Sequence, residues 1–115
     1  MADKKPKQST TRQLRARRAR LARGLPTIEE LLRGAVLSQG RRCGKPGCRC
    51  AGGELHGPYT YFSLGRERGR PRLLYVPAAL LEVVARRAEA SDRIEAALSE
   101  ISEINAELLR RRELD

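Results

Sequence analysis

The chain has 115 residues, and its 24 Lys and Arg side chains against 14 Asp and Glu give it a formal charge of +10. This length fits one domain with appendages. The sequence contains neither an apolar run of about 18 residues that could span a membrane nor an apolar signal-peptide core near its start. We therefore expect a cytoplasmic protein without a membrane partner. Its positive surplus favours a polyanionic partner such as nucleic acid, unless it only reflects an Arg- and Ala-rich composition.

The charge is distributed unevenly along the chain. The net charge is +8 over residues 1–24, −1 over 25–40, +6 over 41–76 and −3 over 77–115. We predict a basic, flexible and partly helical arm over 1–24, a folded module over 25–77 and a long helix over 78–115. The first eleven residues are polar, without spaced apolar residues, and are expected to be disordered. An organellar transit peptide is the alternative interpretation of the arm.

The folded module begins with a helix-start signal. Thr27 and Glu30 have the spacing of a capping box. Apolar residues then recur at the spacing of a single helical face: Ile28, Leu31, Leu32, Ala35 and Val36. This pattern predicts an amphipathic helix over residues 28–38 that ends before Gly40.

Residues 41–57 hold five glycines and one proline and are predicted to be a loop. The apolar runs YTYFSL and PRLLYV follow, separated by GRERGR, and this order is typical of a β-hairpin. Alternation places Tyr59 and Tyr61 on one face of the first strand and Phe62 on the other. One face of so small a sheet must pack against a helix or a metal-stapled loop.

No helix-breaking residue occurs between Ala78 and Arg112, so a long C-terminal helix with coiled-coil character is predicted. Its apolar residues follow a seven-residue repeat. We expect the second part of the stripe to exceed what the chain can cover and to form a homodimer seam of Ile94, Ala97, Ile101, Ile104 and Leu108. The alternative is that the stripe folds back onto the 28–38 helix and the hairpin.

The loop contains a candidate metal site with the spacing Cys43-x4-Cys48-x-Cys50-x5-His56. Three thiolates and one imidazole are a recognised ligand set for structural zinc, and a small core benefits from such a staple. Basic neighbours would offset the negative charge of this centre: Arg41, Arg42, Lys45 and Arg49. Reduced unliganded cysteines, or a redox or iron–sulfur role, are the alternatives.

The string CGKPGCRCAGGELHGPYTY over residues 43–61, followed by YVP at residues 75–77 and a helix, resembles an uncharacterised family of small bacterial and archaeal proteins. Its shared form is CGKxxCxCxxGxxHGPYxY, with a hairpin ending in YVP and a helical tail, over about residues 30–110 here. The resemblance implies a defined site and no particular activity. Its signature positions are Cys43, Cys48, Cys50, His56, Gly57, Pro58, Tyr59, Tyr61, Tyr75 and Pro77.

Together these elements predict an α+β fold: a short amphipathic helix, a zinc-type Gly/Cys loop, a β-hairpin and a long helix. We expect a small zinc-knuckle-like accessory or regulatory protein that binds DNA or RNA through phosphate contacts and base stacking. The candidate interface comprises Arg41, Arg42, Lys45, Arg49, Tyr59, Tyr61, Arg66, Arg68, Arg70 and Arg72. Ordinary hairpin packing for the tyrosines and a solvated surface for the arginines are the alternatives.

An enzyme is not expected. The sequence contains no Ser/His/Asp set, P-loop or dinucleotide fingerprint, and zinc held by four protein ligands has no open position for water. The competing function is a protein-interaction adaptor that uses the C-terminal helix, with a purely structural Cys/His loop.

Overall fold

The computed structural model describes residues 5–115, so the start of the segment expected to be disordered lies outside the described residues. Short 3-10 turns occur at Pro6–Gln8, Ile28–Glu30, Arg49–Gly52 and Ala78–Leu80. The helices and strands of the described chain confirm the α+β class. They are α1 (Thr11–Arg23), β1 (Ala35–Arg41), β2 (His56–Glu67), β3 (Arg70–Tyr75) and α2 (Leu81–Arg110). Neither helix is long and apolar enough to cross a membrane.

The described residues form two compact units. The helical unit comprises residues 5–29 and 90–115, and the sheet unit comprises residues 30–89. Helix α2 contributes to both, its first turns to the sheet unit and the rest to the helical unit.

In the helical unit, α1 packs against the second part of α2. Helix α1 begins with a capping box in which the Gln13 N–H donates to the Thr10 hydroxyl at 3.1 Å and the Thr10 N–H donates to the Gln13 side chain at 2.9 Å. Leu14 is fully buried against Ile104 and Leu108. Since apolar contacts of this kind supply most of a helix's stability, α1 is a packed helix even though six of its thirteen residues are arginine.

Polar contacts show that α1 and this part of α2 run antiparallel. Near the start of α1, the hydroxyl of Thr11 donates to Glu113, while further along Arg17 pairs with Glu100. Part of the basic charge at the start of the chain is therefore neutralised by the acidic C-terminal residues of the same chain.

This packing covers the apolar stripe that predicted a homodimer seam. The side chains of Ile94, Ala97, Ile104 and Leu108 are buried within the single chain, and Ile101 is half-buried. The expectation that the chain cannot cover this stripe is wrong, because α1 packs apolar residues against it. The arginine-rich composition of α1 did not indicate such a surface. A homodimer stays a prediction, but an uncovered stripe is no longer a reason for it.

The sheet has three antiparallel strands in the order β1-β2-β3. The predicted hairpin is confirmed as β2 and β3, which pair from Tyr61 with Tyr75 to Glu67 with Arg70. Its two-residue turn has positive φ angles at Arg68 (52°) and Gly69 (78°), as the turns favoured in tight hairpins require.

The predicted helix over residues 28–38 is wrong. Only Ile28–Glu30 forms a short turn, and Ala35–Arg41 is strand β1, in which Val36 pairs with Phe62 and Leu37 with Tyr61. Pairing with the free edge of the long strand β2 stabilises a strand here more than the helical spacing of nearby apolar residues stabilises a helix. Gly34 marks the entry to β1: its φ is 152°, and a Cβ there would lie 2.7 Å from the Phe62 ring. A larger residue would push the strand off its partner.

The two faces of the sheet have different surroundings. On one face, Phe62 and Val76 pack against Ala88 of α2 and form the buried core of the sheet unit, with Leu64 and Val84 beside them. Strand alternation turns the side chains of Tyr59 and Tyr61 to the opposite face.

Candidate metal centre and nucleic-acid interface

The Cys/His loop is anchored at both ends by the sheet. Arg41 at the end of β1 pairs with His56 at the start of β2, so the loop between them leaves and returns at one place. Inside the loop, the Cys48 N–H donates to the Lys45 carbonyl at 3.1 Å, and the Gly53 N–H donates to the Cys50 carbonyl at 3.3 Å. These tight turns replace regular structure and fold the three cysteines back toward His56.

The turns bring the four predicted ligands together. One ligand atom from each of Cys43, Cys48, Cys50 and His56 lies within 4.8 Å of every other. The Sγ atoms of Cys43 and Cys50 are 3.5 Å apart, and the Cys48 Sγ lies 3.1 Å from the His56 Nε2. The four residues are therefore close enough to hold one metal ion. Burial increases from Cys43, which is exposed, to Cys50, which is buried.

The surroundings favour a thiolate at Cys50. The Cys43 N–H donates to the Cys50 Sγ at 3.3 Å. This hydrogen bond, helped by the neighbouring thiols and His56, outweighs burial and lowers the pKa of Cys50 to about 7. At Cys43, the Lys45 N–H lowers the pKa, but hydrogen bonds with Cys50 and Cys48, together with burial, raise it more. Cys50 is therefore the more readily ionised of the two thiols. The thiolate is the form that binds metals and reacts with electrophiles.

Four basic residues lie within the Cys/His loop or at its start. All four are exposed: Arg41, Arg42, Lys45 and Arg49. Arg41 has a further contact, because its guanidinium carbon lies 4.7 Å from the centroid of the Tyr61 ring, within the range of a cation–π interaction.

A second basic group occupies the hairpin tip. Arg66, Arg68, Arg70 and Arg72 are all exposed. An open cavity of about 760 Å³ at the tip is lined by three of them together with Glu67 and Pro71. Two of the four have partners nearby: Arg66 donates to the Gly69 carbonyl at 2.9 Å, and Arg72 forms an exposed ion pair with Glu67 at 3.4 Å. The tip is basic overall, although some of its charge is already compensated.

The predicted tyrosines differ in accessibility. Tyr59 is 38% exposed, but Tyr61 is only 6% exposed and lies beside Arg41 and Tyr75. Tyr75, which the predicted interface omits, is 59% exposed. Its ring meets the other two edge-on, with centroid distances of 6.4 Å to Tyr59 and 6.0 Å to Tyr61. The alternation of side chains on the second hairpin strand could have identified Tyr75 as part of this face. That prediction also needed the register that pairs Tyr75 with Tyr61.

A family model for a domain of unknown function, DUF6788, matches residues 11–86, more than half of the chain. The chain therefore belongs to this family, as the resemblance to an uncharacterised family predicted. The match includes the whole stretch 43–77 on which that resemblance rested, and it begins with α1 rather than near residue 30. No curated protein and no solved structure matches the chain.

Proposed function

We propose that this member of the DUF6788 family is a zinc-stabilised module that binds nucleic acid and acts as an accessory protein rather than an enzyme. The observation that carries the proposal is the position of Arg41. Its backbone pairs with the metal-site residue His56, while its exposed guanidinium lies over the aromatic face of the sheet. A basic phosphate-binding group and a metal centre thus belong to one small surface.

Zinc is the metal that the donor set favours. Tetrahedral zinc with Zn–S bonds of about 2.3 Å and Zn–N bonds of about 2.0 Å requires ligand atoms about 3.5–3.8 Å apart. The separations of 3.5 Å between Cys43 and Cys50 and 3.1 Å between Cys48 and His56 need only small adjustments to meet this requirement. Four protein ligands leave no position for a water nucleophile, so the role we assign to the metal is structural. Clustered cysteines without a disulfide are typical of a reducing compartment, which favours the cytoplasm.

Nucleic acid is the partner that the charge favours. The eight basic residues at the loop and the hairpin tip belong to one folded unit, and their side chains are exposed. Exposed Arg and Lys side chains gain affinity for a polyphosphate by releasing its condensed counterions. The adaptor alternative would use the C-terminal helix. The apolar stripe of that helix is buried within the chain, so the basic surface of the sheet unit is the better supported site.

The zinc assignment is tested by metal analysis of protein purified without added metal. We expect about one zinc per chain, and its loss from Cys48→Ser. Glu54→Gln is the matched control, because Glu54 lies in the same loop but outside the ligand cluster. Retention of full zinc by Cys48→Ser, or its loss from Glu54→Gln, would contradict the four-ligand centre.

Nucleic-acid binding is tested by titrating labelled DNA and RNA at several salt concentrations. Affinity should fall steeply with salt, with a logarithmic slope of about −0.9 for each phosphate neutralised on duplex DNA. The double variant Arg42→Gln/Lys45→Gln should reduce that slope. The control Arg20→Gln/Arg23→Gln removes the same charge from exposed positions on α1 and should change it less. Binding no stronger than that of an unrelated protein of matched charge would overturn the proposed function.

A further inference from the structure

We infer that the aromatic face of the sheet, formed by Tyr59, Tyr61 and Tyr75, binds single-stranded nucleic acid by stacking unpaired bases on Tyr59 and Tyr75. This inference rests on the proposed function and adds the type of strand and the side chains that contact it. Single-strand binders combine exposed aromatic rings with positively charged groups that follow the backbone.

The three rings have different roles. Tyr61 is buried, and Tyr75 packs against it edge-on with the ring planes 68° apart. Tyr59 packs edge-on against Tyr75 in turn, at 71°. Edge-to-face contacts of this kind are favourable and orient the rings. Tyr59 and Tyr75 are thereby fixed in place while much of each ring remains exposed, so binding a base requires little ordering of either side chain.

The angle between the exposed rings favours a flexible strand over a duplex. Bases in a duplex are parallel and already stacked on their neighbours. The Tyr59 and Tyr75 planes differ by 71°, so bases stacked on both cannot belong to one regular helix. A single strand can turn between two nucleotides and offer each ring a free base face.

Charge on both sides of the rings complements a strand backbone. Along β2, the tyrosines lie between the Cys/His loop, which precedes His56, and the hairpin tip, which follows Glu67. Strand β2 has twelve residues, a length of about 40 Å at 3.3 Å per residue, and basic residues occur at each end. Arg41 lies over the Tyr61 ring. We assign the loop and tip arginines to phosphates and the rings to bases.

The inference is tested with a labelled mixed-sequence single-stranded DNA, the same DNA as a duplex, and single-stranded RNA of the same sequence. We expect zinc-loaded full-length protein to bind both single strands more tightly than the duplex, because base faces and phosphates are common to DNA and RNA. The chain has three Tyr and no Trp, so its fluorescence comes from tyrosine. Bases stacked on these rings should quench this emission.

Variants on strand β3 and at Tyr59 identify the contacting rings. Tyr75→Ala should weaken single-strand binding about 5- to 150-fold, whereas Tyr75→Phe should retain it. Leu74→Ala is the matched control, because Leu74 is 52% exposed on the same strand and its side chain points to the other face. If Tyr75→Ala loses its zinc or the circular-dichroism spectrum of the folded protein, Tyr59→Ala tests base stacking on this face instead.

The outcomes separate the inference from the proposed function. If the wild-type protein binds none of the probes, both fail. If it binds duplex at least as tightly as single strands, or if the Tyr→Ala variants bind like Leu74→Ala, the proposed function stands and the stacking inference is overturned. Binding to only one of the two single strands would overturn the assignment of recognition to base faces and phosphates alone.

Discussion

Arg41 lies over Tyr61, with its guanidinium carbon 4.7 Å from the ring centroid, and the backbone of Arg41 pairs with His56 across β1 and β2. A bulge follows Gln39, where the register between these strands shifts. The last residue of β1 therefore links the aromatic face of the sheet to the Cys/His cluster, so the two halves of the proposed surface are positioned by the same pair of strands.

This contact predicts different effects for two adjacent arginines. Arg41→Ala should lower the free energy of unfolding by about 0.5–1 kcal/mol, the usual contribution of an exposed cation–π pair. Arg42→Ala removes the same charge from the neighbouring exposed position and should stay within about 0.5 kcal/mol of the wild type. Urea denaturation of the zinc-loaded variants measures the difference. Equal effects would show that the contact with Tyr61 does not stabilise the fold.

The hairpin turn predicts a change that stabilises the fold and weakens binding. Arg68 has a φ of 52°, a left-handed conformation that costs an L-residue about 1 kcal/mol or more relative to Gly. Arg68→Gly should therefore raise the melting temperature, while its lost charge weakens nucleic-acid binding. The control Arg70→Gly removes the same charge from strand β3 and should lower the melting temperature, because Gly weakens a strand. A melting temperature that falls in Arg68→Gly would contradict this account of the turn.

The core of the helical unit predicts a large penalty for a residue in the arginine-rich α1. Leu14 is fully buried against Ile104 and Leu108, so Leu14→Ala should lower the free energy of unfolding by about 2–5 kcal/mol. The exposed Leu109 on α2 provides the control, since Leu109→Ala should change it by about 0.5 kcal/mol or less. Chemical denaturation followed by circular dichroism gives both values.

Leu14→Ala and a further variant, Ile104→Ala, distinguish the packing of α1 within one chain from a dimer seam. If Leu14→Ala leaves stability unchanged while Ile104→Ala converts a dimer to a monomer in sedimentation, the stripe is an intermolecular seam and the packing of α1 is wrong. Loss of stability at constant mass in both variants supports the packing within one chain.

The sequence predicted those elements whose signals are local. The hairpin is marked by two β-rich runs around a Gly-bearing turn, and α2 by the absence of any breaker between Ala78 and Arg112. The metal cluster was also predictable, because its four donors lie within fourteen residues and the intervening glycines allow tight turns.

The errors concern contacts between residues far apart in sequence. Whether Val36 belongs to a helix or a strand depends on its pairing with Phe62, and the spacing of nearby apolar residues contains no information about that partner. The burial of Ile104 and Leu108 likewise depends on Leu14, which lies ninety or more residues earlier in the chain. The burial of Tyr61 was not predictable for the same reason, because it requires Tyr75 and Arg41 from neighbouring strands.

Acid should weaken the helical unit through two carboxylates near its C-terminal end. Hydrogen bonds from Arg111 and Arg110 hold the pKa of Glu107 below its usual value of 4.5, and a hydrogen bond from Arg18 lowers the pKa of Asp115 from 3.8 to about 2. For a lowered pKa the unfolded state binds protons first. The contribution of each carboxylate is therefore complete above its usual pKa and is lost as the pH falls toward the folded value.

We expect the unfolding free energy of the wild type to exceed that of Glu107→Gln at pH 7, and the difference to shrink as the pH falls below about 4.5. Comparing the two proteins at each pH cancels any contribution of the metal ligands, which both share. Glu103→Gln, at an exposed position one turn earlier on α2, is the control and should follow the wild type. A difference between wild type and Glu107→Gln that stays constant from pH 7 to pH 3 would mean that the Arg111 and Arg110 contacts do not stabilise the ionised carboxylate.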